Sequence, residues 1–374
     1  MKIALTGGSS GGHFYPLIAV ADAIREIEEK EKLVPTELFY FGPEKYNERM
    51  LFERNITFVQ VKAGKMRVYF SLLNFLDVFK TILGAFQAVL KLWSVYPDVV
   101  FSKGSFTSFP VVFAARILRI PVVIHESDTV PGRANKFAAS FAKRIAISYP
   151  SAVEYFPKKN IVAHTGNPIR KELLIPEQNG AHEHFKLEPD VPVLLVLGGS
   201  QGSQIINETI LSALPTLLPE VQVIHQVGKN NDEETKSLSD VILHSVPEKK
   251  RYHQFAYLPV LDMKYAAGVA DVVITRAGST LFEVAQWQLP SIIVPISKSN
   301  GDHQRKNAYA YARSGAGHVI EEVNLSPNIV VAEIRRIISD SKLKESMKLA
   351  AKDFSRPHAA ELIAQELIRV AIAH

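Results

Sequence analysis

The chain contains no cysteine, which excludes disulfides and thiolate metal sites and fits a reducing compartment. It has no long apolar stretch near its start either, since Met1-Lys2 is followed only by Ile3 to Leu5 before Thr6-Gly7-Gly8. No signal-peptide core fits there, so a cytosolic location is expected. A dense Lys/Arg run interleaved with aromatics is also missing, which sets nucleic acid aside as a partner. The histidines are scattered and no two stand at i, i+4 beside a glutamate, so no metal site is expected. No glycine run satisfies G-x-G-x-x-G and none ends in Gly-Lys-Ser/Thr, which weakens a dehydrogenase reading and removes a P-loop. What is present is a chain of 374 residues, 47% apolar and 22% charged, a balance that fills two ordinary cores and excludes disorder. A net charge of +5 with pI near 9.1 suggests an anionic partner: a nucleotide, a phosphate-bearing lipid or an acidic membrane surface.

Short apolar runs alternate with helical patterns throughout, the pattern of βαβ units on a parallel sheet. Lys2 to Leu5 reads as a strand, and Leu17, Val20, Ala21, Ile24 and Ile27 then share one helical face. The phrase returns at Val193 to Leu197, which runs into Gly198-Gly199-Ser200-Gln201-Gly202 and a helix beginning near Ile205. Two similar α/β domains are therefore expected, one over 1–168 joined by a C-terminal helix at 357–374, the other over 169–356. The boundary falls near Gly166-Asn167-Pro168, and the polar stretch Glu177 to Asp190 reads as a linker.

Gly7-Gly8-Ser9-Ser10-Gly11-Gly12-His13 stands between a strand and a helix with Pro16 in its first turn. Glycines there let the backbone approach an oxyanion, and the helix start offers unpaired N–H groups. Phosphate is the natural guest, with a plain tight turn as the alternative. His13 stands where ligands collect in open α/β folds. His125-Glu126-Ser127-Asp128 follows the strand Pro121 to Ile124. It either positions a hydroxyl or nucleotide, or supplies Ser127 or Asp128 as a helix cap near Pro131. Asp271 to Ile274 is a strand leading into Thr275-Arg276-Ala277-Gly278-Ser279-Thr280, with Glu283 one turn inside the next helix. That carboxylate suits the vicinal hydroxyls of a ribose; Thr280 and Glu283 also have capping-box spacing. Gly301-Asp302-His303-Gln304-Arg305-Lys306-Asn307-Ala308 opens another helix with groups that suit sugar hydroxyls.

In order along nearly the whole chain, these motifs, with Lys103-Gly104-Ser105-Phe106, Pro131-Gly132-Arg133-Ala134-Asn135-Lys136 and Gly166-Asn167-Pro168-Ile169-Arg170, resemble the bacterial MurG family. Its members add N-acetylglucosamine to lipid I in peptidoglycan synthesis. The resemblance implies a GT-B glycosyltransferase fold, two doubly wound Rossmann-like domains facing across a cleft, with the donor in the C-terminal domain and the acceptor at the N-terminal one. It implies UDP-N-acetylglucosamine and lipid I, undecaprenyl-pyrophosphoryl-MurNAc-peptide, as substrates. It places Ser200 and Arg170 at the donor diphosphate, Glu283 at the ribose, and His303 with Gln304 at the sugar. Ser10, Gly11 and Gly12 would lie near the sugar and the acceptor diphosphate, while Gln201 and Asp128 count among the donor residues. Gly8, Gly104, Ser105 and His125 would form the acceptor side. Three departures stand out: one extra residue at Ser9-Ser10 relative to the usual GGTGGH, Asp128 where many members have asparagine, and Gly104-Ser105 in place of Gly-Gly.

Met66 to Trp93 is unusually apolar. Leu72, Phe75, Leu76, Phe79, Ile82, Leu83, Phe86 and Leu90 form one helical stripe that is expected to pack in the core, while Leu73, Val78 and Val89 spill onto other faces. Asn74, Asp77 and Lys80 argue against a spanning helix. With Lys62, Lys65, Arg67 and Lys91 as flanks, the excess suggests a surface that dips into an anionic bilayer at the cytoplasmic face. The expected reaction is inverting displacement at the anomeric carbon by the C4 hydroxyl of the lipid I sugar, with His13 as base, Glu126 as a second catalytic candidate, and no cofactor. Rival readings are another UDP-sugar enzyme of this fold, such as a lipid glucosyltransferase or a UDP-GlcNAc 2-epimerase, and a nucleotide-sugar binder without turnover.

Overall fold

The structure is a computed structural model; residues 1–8, 10–64, 73–199, 201–297 and 300–374 are described, with backbone alone for 73–79 and 300. The chain divides into two compact units, Met1–Lys171 with Arg356–His374, and Glu172–Ser355.

The first unit runs β1 (Lys2–Thr6), α1 (Gly11–Glu31), β2 (Glu37–Gly42), α2 (Glu48–Glu53), β3 (Ile56–Gln60), α3 (Leu73–Val95), β4 (Val99–Ser102), α4 (Phe109–Ile117), β5 (Val122–Glu126), α5 (Arg133–Ala139), β6 (Arg144–Ile147) and β7 (Val162–His164). Its seven strands are all parallel in the order β3-β2-β1-β4-β5-β6-β7. The second unit runs α6 (Ala181–Phe185), β8 (Val193–Leu197), α7 (Gln204–Leu217), β9 (Gln222–Gln226), α8 (Asp232–Ile242), β10 (Tyr252–Phe255), α9 (Val260–Val269), β11 (Val272–Thr275), α10 (Thr280–Gln286), β12 (Ser291–Ile293), α11 (His303–Ala312), β13 (Gly317–Val319), α12 (Pro327–Ser339) and α13 (Ser341–Phe354). Its six parallel strands order as β10-β9-β8-β11-β12-β13. Strands covered by helices on both faces must be apolar on both, which is why Val193–Leu197 reads as an unbroken run and is wholly buried.

The last helix, α14 (Ala359–Ile372), returns to the first unit. Ile363, Leu367 and Val370 enter the core formed by Ile3, Leu5, Leu17 and Ile24. Arg144 Nε meets Glu366 Oε1 at 2.7 Å.

Three local expectations are corrected. Gly11, Gly12 and His13 form the first turn of α1, so Pro16 lies in the second turn, where its missing N–H leaves the Gly12 carbonyl without its usual donor. The stretch Glu177 to Asp190 is folded structure and not a linker: Phe185 and Leu187 are buried. A Cβ on Gly268 of α9 would meet the Glu177 carbonyl at 2.1 Å. In α3 the apolar stripe faces outward, with Ile82, Leu83, Leu90, Phe86 (64% exposed) and Trp93 (67% exposed) in the open. Its buried side is made of Gly84, Ala88 and Leu92. Small residues let the helix come so close that a Cβ on Gly84 would stand 1.8 Å from the Lys62 carbonyl. Val89 is half-buried, and Leu72, with the side chains of Leu73, Phe75, Leu76, Val78 and Phe79, lies outside the described residues.

Candidate active site

In a doubly wound sheet, ligands gather beyond the carboxyl ends of the strands where strand order reverses. That point falls between β1 and β4 in the first unit and between β8 and β11 in the second. Each glycine motif sits there. Gly7 (φ +115°) passes so near the β4 turn that a Cβ would meet the Gly104 carbonyl at 2.5 Å, so only glycine closes the first switch point. Gly202 (φ +77°) packs the turn after β8 against the turn after β9, where the Val227 carbonyl lies 1.9 Å from where a Cβ would sit.

The first switch point collects Gly8, Ser10, Gly11, Gly12 and His13 from the β1–α1 turn, Gly104 and Ser105 after β4, and His125, Glu126 and Asp128 at and after β5. Gly8 is buried, and its carbonyl accepts from Tyr40 Oη at 3.2 Å. Ser10 is exposed and its carbonyl accepts the amides of His13 (3.0 Å) and Phe14 (2.9 Å). As helix residues, Gly11 and Gly12 present first-turn amides with no acceptor inside the helix. His13 is half-buried and near enough for its charge to act on His125. Ser105 adopts φ +71°, ψ 161°, a region that side chains avoid at a cost of about 1–3 kcal/mol. The departure from Gly-Gly thus falls on a residue whose backbone suits glycine.

His125 and Glu126 end strand β5 itself and are buried. His125 Nε2 pairs with the Gly166 carbonyl at 2.9 Å and Ser148 Oγ at 3.2 Å. Burial, and then the charge of Lys103, hold its pKa well below the ordinary value, so the ring is neutral. Glu126 accepts from the amides of Asp128 (2.9 Å) and Gly132 (3.0 Å) and from Asn135 Nδ2 (2.9 Å). Its carboxylate staples the turn that leads to α5; the N-cap of α5 is Gly132, not Ser127 or Asp128. Asp128 itself is half-buried. Arg170 belongs to the first unit. Its guanidinium stacks 4.1 Å from the Tyr15 ring centroid and is buried. Its Nε and Nη1 meet no hydrogen-bond partner among the described residues.

The second switch point gathers Gln201, Glu283, His303 and Gln304. Gln201 is exposed, and Ser200 lies outside the described residues. Glu283 is half-buried in the first turn of α10. The N-cap of that helix is Ser279, whose side chain makes no cap hydrogen bond, so Thr280 is not the cap of a capping box. Gln304 Oε1 accepts from the Ile296 amide at 3.1 Å, tying α11 to the loop after β12, and His303 is half-buried.

Several residues that carry this geometry had no role in the sequence reading. Arg276, just after β11, bonds Ser203 Oγ (2.5 Å), the Val294 carbonyl (3.0 Å) and Glu322 Oε1 (2.7 Å), so one side chain ties the loops after β8, β12 and β13 to its own. Asn307 Nδ2 donates to the Ala277 carbonyl at 3.2 Å. In the first unit the missed residues are Asn135 and Lys103, the latter 1% exposed. A lysine directly after the buried strand Val99–Ser102 and before a glycine was the visible sign.

Two domain models match: the glycosyltransferase family 28 N-terminal domain over residues 3–147 and its C-terminal domain over 193–363. A UDP-N-acetylglucosamine--N-acetylmuramyl-(pentapeptide) pyrophosphoryl-undecaprenol N-acetylglucosamine transferase from Clostridium kluyveri is 37% identical over 90% of this chain and 91% of its own. A Bacillus cereus protein of the same name, numbered 2, is 34% identical over 98% of this chain and 99% of its own. The crystal structure of Acinetobacter baumannii MurG shares the fold at TM-score 0.72, with 24% identity, covering 98% of this chain and 99% of that one. The chain belongs to the MurG family, within glycosyltransferase family 28.

Proposed function

We propose that the protein transfers N-acetylglucosamine from UDP-N-acetylglucosamine to the C4 hydroxyl of the N-acetylmuramyl sugar of lipid I, forming lipid II with inversion. The observation that carries this reading is the pair of switch points, each with a glycine-rich turn leading from its strand into a helix, in a chain of this family. The second unit binds the donor: Glu283 accepts from the ribose hydroxyls, the first-turn amides of α10 and α7 face phosphate, and His303 and Gln304 face the sugar. The first unit binds the acceptor, with Gly8, Gly104 and Ser105 at the turn edges and Ser10, Gly11 and Gly12 near the diphosphate.

The acceptor oxygen attacks the anomeric carbon as the bond to the UDP oxygen breaks. The hydroxyl proton passes to His13, and the charge that develops on UDP is stabilised by helix N-termini and Arg170. These groups supply the positive charge themselves, so no metal or other cofactor is required. The decisive experiment incubates the protein with labelled UDP-N-acetylglucosamine and a lipid I analogue in excess EDTA. Labelled lipid product is the expected result. Label recovered in the C2-epimeric sugar, with no acceptor present, points to a 2-epimerase, and unconverted donor points to a binder.

The protein works at the cytoplasmic face of the membrane as a peripheral protein. No described helix is long and apolar enough to cross a bilayer, yet α3 exposes Ile82, Leu83, Phe86, Leu90 and Trp93. With Lys80 and Lys91 on the same helix, this is the composition of a surface that enters the headgroup region of anionic lipid. Ile82→Glu with Phe86→Glu is expected to abolish sedimentation with phosphatidylglycerol vesicles while the thermal midpoint holds, because neither side chain is packed. Undiminished vesicle binding by the folded variant rules out α3 as the contact.

A further inference from the structure

In the second sheet β9 lies between β8 and β10, and Gln226, its last residue, is in register with Leu197 on one side and Phe255 on the other. A side chain at that point is within reach of the loops that follow both neighbours. Gln226 is buried and uses both ends of its amide there. Its Nε2 donates to the Gly199 carbonyl at 3.1 Å, and its Oε1 accepts from the Leu258 amide at 3.0 Å. Only this orientation of the side chain satisfies both partners, since one offers a carbonyl and the other an N–H.

A second side-chain amide holds the other end of the glycine turn after β8. Asn231 Nδ2 donates to the Gln201 carbonyl at 3.3 Å and to the Val227 carbonyl at 2.8 Å. The turn after β9 presses on that first carbonyl as well, for a Cβ on Gly228 would meet it at 2.3 Å. The anchor is itself fixed, because the Val227 carbonyl also accepts from Asn207 Nδ2 of α7 at 2.9 Å. Two carbonyls of the glycine turn are thus engaged from the β9 side, and that of Gly199 takes the Gly202 amide at 3.1 Å in addition.

A carbonyl oxygen facing a phosphate repels it, so a backbone turn binds phosphate when it presents N–H groups and keeps its carbonyls away. We infer that Gln226 and Asn231 are positioning residues for the donor diphosphate: their side-chain amides hold the Gly199 and Gln201 carbonyls toward β9, leaving the other face of the turn to the phosphates. The identity of the ligand rests on donor binding by the second unit, as proposed above; the bonds that hold the turn do not.

The test compares UDP with uridine, which has the same base and ribose but no phosphate, by calorimetry on the full chain, with thermal midpoints measured alongside. Gln226→Met keeps the length of the side chain and loses both of its bonds. Asn231→Ala removes the second handle without uncapping α8, because the Asn231 side chain makes no cap hydrogen bond there. In each variant UDP affinity should fall roughly 10-fold, the effect of one lost hydrogen bond to a charged group, while uridine affinity holds. A purely structural role would lower the midpoint and leave the ratio of the two affinities where it was. An unchanged UDP affinity, or equal weakening of UDP and uridine, therefore overturns the positioning role and leaves the proposed function standing. A parent protein that binds UDP no better than uridine overturns phosphate binding by the turn, and with it both this inference and the donor site on which it rests. If Gln226→Met does not fold, Asn231→Ala, at a half-buried position, decides by the same comparison.

Discussion

His13→Ala is expected to lower kcat for transfer by roughly 10²- to 10⁴-fold while UDP affinity stays within a few fold, the signature of a lost general base. An unperturbed imidazole titrates near neutrality, and His13 sits half-buried in the first turn of α1 beside the closed contact of Gly7 with Gly104. The two other candidates from the same edge are more enclosed. His125 is sealed with its Nε2 committed to Gly166 and Ser148, and the Glu126 carboxylate is occupied by three donors. His13→Gln should fail to restore the rate, because an amide holds a hydrogen bond but does not take the proton. Steady-state kinetics with saturating UDP-N-acetylglucosamine, alongside calorimetry with UDP, separates the two effects. A near-normal kcat in either variant moves the base to Asp128, the remaining half-buried carboxylate of that turn.

Glu283→Ala carries the second large effect, at the donor. Its carboxylate lies in the first turn of α10, directly beyond β11 at the second switch point. Loss of hydrogen bonds between a charged group and two ribose hydroxyls weakens UDP binding by about 1.5–3 kcal/mol, roughly 10- to 150-fold. With no side-chain cap at Ser279, the folding midpoint should change little. Calorimetry that returns the parent affinity would leave Glu283 without a nucleotide role.

The architecture was readable because each unit is built from apolar strands that end in glycine. Val193 to Leu197 was located to the residue, and the helix expected near Ile205 starts at Gln204. The errors share one cause: sequence pattern reports hydrophobicity, not what is opposite. The stripe Ile82, Leu83, Phe86 and Leu90 has the period of a core face, yet Gly84 and Ala88 form the contact side, because close backbone approach outweighs apolar area at that crossing. Glu177 to Asp190 is polar enough for a linker, but Phe185 and Leu187 suffice to anchor it. His125 and Glu126 were legible as titratable groups at a sheet edge, whereas their enclosure depends on Asn135, Ser148 and Gly166, whose proximity no local spacing reveals. The service of Arg276 to three loops was equally invisible, as its partners Ser203, Val294 and Glu322 are far apart in the chain.

The return of α14 to the first unit sets an order of events during synthesis. A chain emerging from the ribosome normally completes its N-terminal domain first. Here the helix that covers Ile3, Leu5 and Leu17 spans Ala359–Ile372, after the whole of the second unit. The first-made unit therefore stays uncovered along α1 and β1 until α14 has been made, and the second unit, complete at Ser355, is the first able to close. A ribosome that stalls within α14 leaves the second unit whole and the first with an open apolar face, so damage late in the chain shows as a failure of its beginning.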